Sequence, residues 1–175
     1  MRDVLIEDSI GILTSWFCDL LLYNVTIRNS VIQKDFFEML DTNVTMVNSH
    51  MYNITSTNTT RVVFYSDKNS RVNLYEGTVI ENISAPFLIS QYSHVYTNYS
   101  TLINIESNSY FIEMLVNPYA YFIGTVMKNI RFGASFGISG FRANVIISNS
   151  SFDNFTSTIF NFDESFGEIA NKSIF

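Results

Sequence analysis

One cysteine, two prolines, seven glycines and one tryptophan are all that 175 residues hold of these types. A lone Cys18 excludes an intrachain disulfide framework, and its place in the apolar stretch from Ile10 to Tyr23 predicts a buried, inert thiol. With little proline and glycine and 47% hydrophobic residues, the chain is neither disordered nor collagen-like, and it can bury a sizeable core. Positive charge is short as well. Ten Lys and Arg stand against 16 acidic residues for a formal charge of -6, so no basic face is expected for the phosphates of a nucleic acid. No run of 18 apolar residues occurs, so no transmembrane segment is predicted. The opening from Met1 to Asp8 also lacks the basic-then-apolar order of a secretory signal, so the signal is expected to be absent or the chain to be a piece of a longer one.

Compact chemical motifs are missing too. Gly133, Gly137 and Gly140 have neither the lysine nor the order of a phosphate loop, and no nucleophile elbow or zinc spacing occurs. No catalytic residue, metal ligand or cofactor is therefore assigned, and His50 and His94 are read as turn or surface residues. Spacing offers two pairs, Glu81 with Glu106 and Lys128 with Asp153, each 25 residues apart. Two carboxylates on neighbouring coils would suit acid–base hydrolysis or hold calcium. Asp163, Glu164 and Glu168 read as a solvated acidic patch, with calcium or a basic partner as the alternative. Tyr110, Phe111, Tyr119, Tyr121, Phe122, Phe132, Phe136 and Phe141 read as core, with a sugar-stacking face as the alternative.

What the chain does contain is 19 Asn, 21 Ser and 14 Thr, alongside 26 Phe and Tyr. The glycosylation pattern Asn-x-Ser/Thr occurs at Asn24, Asn43, Asn53, Asn58, Asn82, Asn98, Asn149, Asn154 and Asn171. A chain of this composition produces several by chance. The surplus favours an extracellular or cell-surface protein carrying N-linked glycans.

A phrase also recurs: a small or hydroxyl residue, an apolar residue, one or two others, then Asn. It appears as Ser49-His50-Met51-Tyr52-Asn53, Gly77-Thr78-Val79-Ile80-Glu81-Asn82, Ser100-Thr101-Leu102-Ile103-Asn104, Gly124-Thr125-Val126-Met127-Lys128-Asn129 and Ser150-Ser151-Phe152-Asp153-Asn154. With partial copies anchored at Ile10, Ile32 and Ile174, the interval averages about 23 residues, the length of three short strands and three turns. Alternating runs such as Val25-Thr26-Ile27 and Val145-Ile146-Ile147 between Asn, Ser and Gly read as strands. The expected fold is all-β: one parallel β-helix domain over residues 1–175, with about seven coils. Met51, Val79, Leu102, Val126, Phe152 and Ile174 would stack as an internal ladder. Asn53, Asn82, Asn104, Asn129 and Asn154 would stand at a coil corner, where Asn tolerates a left-handed backbone and bonds to the next coil. Asn53, Asn82 and Asn154 thus face competing roles as ladder or glycan acceptor. Asn24, Asn43, Asn58, Asn98, Asn149 and Asn171 are the freer acceptors.

Val79-Ile80-Glu81-Asn82 and Val126-Met127-Lys128-Asn129 resemble the repeat phrase of right-handed parallel β-helix proteins of the polymorphic-outer-membrane type, found in large surface proteins of bacteria and protists. The Gly-Gly-Ala-Ile half of that phrase is absent. The resemblance implies an extended surface-displayed scaffold, and similar solenoids also carry polysaccharide lyases and hydrolases. Richness in Asn, Ile, Phe and Tyr is similar to the output of an AT-rich protist genome. The expected role is a structural glycoprotein rod or filament, continued by further repeats or by end-to-end self-association. A carbohydrate-active enzyme and an adhesin-like binding module are the alternatives.

Overall fold

The structure is a computed structural model that describes residues 1–9, 13–58, 61–133, 136–156 and 158–170. Its 21 described strands form three parallel sheets of seven strands each, and every strand pairs with those one coil before and after it. One coil runs through His50–Ser56 in sheet I, Phe64–Asp67 in sheet II and Arg71–Tyr75 in sheet III; the next repeats the order with Val79–Ser84, Leu88–Gln91 and His94–Asn98. This is the predicted parallel β-helix of seven coils. Parallel pairing between consecutive coils spaces the rungs about 4.8 Å apart along the axis.

Alternation within each strand decides the two sides of the wall. In sheet I the inward rung is Ile6, Ile27, Met51, Ile80, Leu102, Met127 and Phe152, at intervals of 21 to 29 residues. Two expected ladder members are thereby corrected. Val79 is only half-buried and Val126 is 41% exposed, because Ile80 and Met127 take the inward place. The doublets Val79-Ile80 and Val126-Met127 are apolar twice over, and choosing the wrong member turns the side chain to the opposite face. Ile32, the anchor expected of its partial copy, is buried but lies five residues beyond the rung that Ile27 fills. Ile10, Ile174 and Asn171 lie outside the described residues.

Each coil turns through three left-handed positions. One series is Asp3, Asn24, Asn48, Gly77, Tyr99, Gly124 and Asn149; the second is Asp8, Asn29, Asn53, Asn82, Asn104, Asn129 and Asn154; the third includes Phe17, Asp41, Lys68, Tyr92, Val116, Arg142 and Glu164. Only the second is kept almost wholly as Asn. Gly124 has a physical reason of its own: at φ 58°, a Cβ there would sit 2.5 Å from the Tyr99 ring of the preceding coil.

Aromatic and aliphatic side chains fill the tube, with Phe37, Phe64, Phe87 and Phe111 in ring contact from coil to coil. At two corners the core is closed by hydroxyls. Ser49 Oγ accepts the Val25 N–H and donates to Leu22 O, Ser100 Oγ donates to Leu74 O, and Ser150 Oγ accepts the Thr125 N–H. At the other corner Thr42 Oγ1 accepts the Cys18 N–H and Ser70 Oγ accepts the Thr42 N–H. Backbone amides left unpaired by the turns thus find partners inside the wall, which is why serine and threonine are needed at buried positions.

Cys18 is exposed, not buried as expected. It occupies the place held in the next coil by Thr42, whose Oγ1 accepts its N–H. Ser66 and Ser90, in register on adjacent rungs of sheet II, are different again: both are fully buried and neither hydroxyl has a hydrogen-bond partner among the described residues. Substituting Ser66 by alanine is therefore expected to leave stability unchanged or raise it by up to about 1 kcal/mol, since a desolvated, unpaired hydroxyl is removed. Urea denaturation reads this directly, and a loss above that size would mean the hydroxyl is satisfied.

Candidate functional site

The outer face of sheet I carries the polar chemistry in rows set by strand register. One row runs Arg28, Tyr52, Glu81, Ile103, Lys128 and Asp153. Here Arg28 pairs with Glu7 and donates to the Tyr52 hydroxyl, and Lys128 lies 3.5 Å from Asp153. His50 Nε2 is 2.9 Å from Glu81 Oε1. The 25-residue spacing of Lys128 and Asp153 thus produces a contact. That of Glu81 and Glu106 does not bring those two together: Glu81 registers with Ile103, while Glu106 registers with Ser84, three residues further along the strand.

Beside this row runs the asparagine line. Each Asn sits at a bend within a sheet I strand, with the left-handed backbone expected of it, and register skips it, as Tyr52 pairs Glu81 and Ile54 pairs Ile83. The side chains face outward. Asn53 Nδ2 donates to Asn29 Oδ1 at 3.1 Å, Asn104 to Asn82 at 3.1 Å, Asn129 to Asn104 at 2.9 Å and Asn154 to Asn129 at 2.8 Å. Asn82 Nδ2 makes no such bond to Asn53, so the line is interrupted where the coil interval is longest.

Next to the line, where sheet I gives way to sheet II, two adjoining depressions form a groove. The first, of about 250 Å³, is lined by Ser56, Asn58, Ser84, Ala85, Pro86, Glu106 and Asn108. The second, of about 290 Å³, is lined by Asn104, Ile105, Glu106, Asn129, Arg131 and Asn154. Glu106 is common to both. Glu106 and Arg131 are exposed registered neighbours, yet neither has an ion-pair or hydrogen-bond partner among the described residues. Sequence spacing singled out Glu106 for a different partnership and missed Arg131; their adjacency arises only from the register.

Sheet III presents the contrasting face. Tyr96 and Tyr121 stack 4.8 Å apart at 4°, and Tyr119 meets His94 edge-on at 5.1 Å. Stacked along the axis, Tyr96 and Tyr121 cover each other's ring faces and turn edges outward. Of the aromatic set, Phe111, Phe122 and Phe132 are core, while Tyr110, Tyr121 and Phe141 are half-buried and Tyr119 is exposed. The Phe136 side chain lies outside the described residues. Tyr110 is pushed up to about 12 by burial, reinforced by Glu113. Glu164 pairs with Arg142 at 2.7 Å, whereas Asp163 and Glu168 lie on sheets II and III, so the acidic patch is divided. Among the described residues no three acidic, histidine or cysteine side chains gather as a cation site.

No protein-family model matches this chain, nor does any curated protein or solved structure. Function must be argued from the surface itself. Among the described residues no helix is long and apolar enough to cross a membrane.

His94 supplies a titration prediction. Its Nδ1 accepts the Tyr119 N–H, and burial, helped by Arg71, holds its pKa below the usual histidine value. Below the unfolded value near 6.5 the unfolded chain binds more protons than the folded one, so stability falls as the pH drops from about 6.5 through the lower folded value. Comparing unfolding at pH 7 and pH 5 in the wild type and in His94→Gln isolates this contribution: the His94 part of the slope is expected to vanish in the variant.

Proposed function

We propose that this chain is a section of an extracellular structural glycoprotein, a stiff solenoid rod or surface filament. Further coils of the same chain or end-to-end association with a second copy would lengthen it. The observation that carries this reading is the placement of the glycosylation sequons. All eight whose Asn is described, Asn24, Asn43, Asn53, Asn58, Asn82, Asn98, Asn149 and Asn154, have that residue at the surface, exposed or half-exposed, on a wall otherwise devoted to close packing. Three sheets closed around one core, with corner amides tied internally, resist bending. Sugars on the outside would hydrate the rod.

The sequons are not equivalent. Asn24 and Asn43 donate their side-chain nitrogens to Asp3 and Asp19, and Asn53 and Asn154 donate along the asparagine line. Asn82 and Asn149 are exposed, and their nitrogens have no partner among the described residues. Secretion of the chain from a eukaryotic cell, followed by peptide mapping, is expected to find Asn82 and Asn149 among the most fully occupied sites. Secreted protein bare of glycan would overturn the reading.

A further inference from the structure

We propose that Tyr96 and Tyr121 form a cross-linking site on sheet III, joined ring to ring as a dityrosine by a peroxide-driven one-electron oxidant. Strand register sets the two residues side by side on His94–Asn98 and Tyr119–Ile123, and their rings lie 4.8 Å apart and 4° from parallel. The ring carbons ortho to the hydroxyl carry much of the unpaired spin of a tyrosyl radical. They lie on the ring edges, and in this stack the edges face outward. Among the described residues this is the tyrosine pair held parallel across two coils. Tyr119 and Tyr121, 6.5 Å apart, share one strand, so a bond between them would tie no coil to another. Asn73 and Ile146 take the same row in the coils before and after, so the oxidisable stack is two rings long.

The chemistry balances with the peroxide as sole co-reactant. Each ring gives up one electron and one proton, neither hydroxyl being held by a hydrogen bond among the described residues. The two radicals combine through one bond between ortho carbons. Each of those carbons then loses its proton while each oxygen regains one, and both rings become aromatic again. One hydrogen peroxide takes up the two electrons and two protons and leaves as two waters, so the product is lighter by two hydrogens. A bond between residues 25 apart fastens the fourth coil of sheet III to the fifth and removes freedom from the unfolded chain. Stability in a solenoid passes only between neighbouring coils, so a covalent tie at one of these contacts stiffens the tube where it is otherwise held by hydrogen bonds and packing. The site goes beyond the reading of the chain as a rod and depends on neither its secretion nor its glycans.

The test treats protein made without glycans, at micromolar concentration, with a haem peroxidase and one equivalent of hydrogen peroxide, then cuts it with a glutamate-specific protease. Cleavage after Glu106 and Glu113 leaves the two tyrosines on separate peptides, so the link appears as a joined pair two hydrogens lighter than their sum, with dityrosine fluorescence. A partner already stacked in place has an effective concentration of order millimolar or more, so linkage within the chain should exceed linkage between chains by on the order of a hundredfold. Tyr96→Phe and Tyr121→Phe, which keep the stacked rings, should each abolish the joined pair, whereas Tyr92→Phe at an exposed corner should not. The oxidised parent should unfold at a higher urea midpoint than before treatment, and the two oxidised stack variants should not. Parent oxidised while unfolded in urea should scatter its links among its ten tyrosines. The proposal fails if the joined pair survives in either stack variant, if folded protein links other tyrosines in equal yield, if chains join one another first, or if the midpoint of the oxidised parent does not move.

Discussion

Replacing Phe64 by alanine is expected to destabilise the solenoid by about 4 kcal/mol, the largest single loss foreseen from the core. Phe64 is fully buried and stacks on Phe37 at 4.8 Å and 5°, while its other side meets the edge of Phe87 at 5.4 Å. Truncation removes the transfer energy of the ring, both ring contacts and the packing of a third-coil position held by covalent neighbours that cannot collapse inward. Phe64→Leu retains most of the volume and should cost about 1 to 1.5 kcal/mol. A solenoid transmits stability only between adjacent coils, so a hole in the third coil also weakens the coupling of the coils on either side. Urea unfolding should therefore show a lower midpoint together with a shallower transition in the alanine variant. Phe17, 73% exposed on the first coil, provides the contrast: Phe17→Ala should change stability by no more than about 0.5 kcal/mol. Equal losses at Phe64 and Phe17 would mean that ring contacts along the tube carry little of the stability.

The solenoid could be read from the sequence because one of its constraints repeats in a single residue type. A left-handed backbone on an outward-facing strand position favours Asn, and the same position returns in every coil from Asn29 to Asn154. Counting two residues back from that Asn gives the inward rung without error: Met51, Ile80, Leu102, Met127 and Phe152. Counting forward from the hydroxyl residue fails, because coils four and six place two apolar residues after it and period-two alternation offers no way to choose between them. The third left-handed series, with Phe17, Tyr92, Val116 and Arg142, carries no compositional mark at all, since the wall around it enforces the conformation. The groove was hidden for a related reason. Ser84, Glu106 and Arg131 become neighbours through register across coils of 22 and 25 residues, and the direction each faces follows from the bend at the preceding Asn. A search for carboxylates one coil apart finds Glu81 and Glu106 but cannot see that they occupy different rows.

That bend at Asn makes the second large effect. Asn104 holds φ 53°, donates to Asn82 and accepts from Asn129, so it serves the backbone and the asparagine line together. Asn104→Val should cost about 3 kcal/mol: a left-handed β-branched residue loses about 1 to 2, and two exposed amide hydrogen bonds contribute about 0.5 to 1 each. Glycine adopts the same backbone without steric penalty, so Asn104→Gly should lose the amide part, about 1 to 2 kcal/mol, with a smaller addition from the freedom gained in the unfolded chain. Alanine should fall between them. The ordering Gly, Ala, Val is the decisive feature, because side-chain packing alone would reverse it on an exposed strand, where valine is the better β-former. The same substitutions at Asn129 should not add to those at Asn104, since each first loss already breaks the bond the two share. Denaturation of the two single variants and the double variant measures that coupling. Full additivity would show that the line of amides is a by-product of the backbone bend and contributes nothing of its own to holding the coils in register.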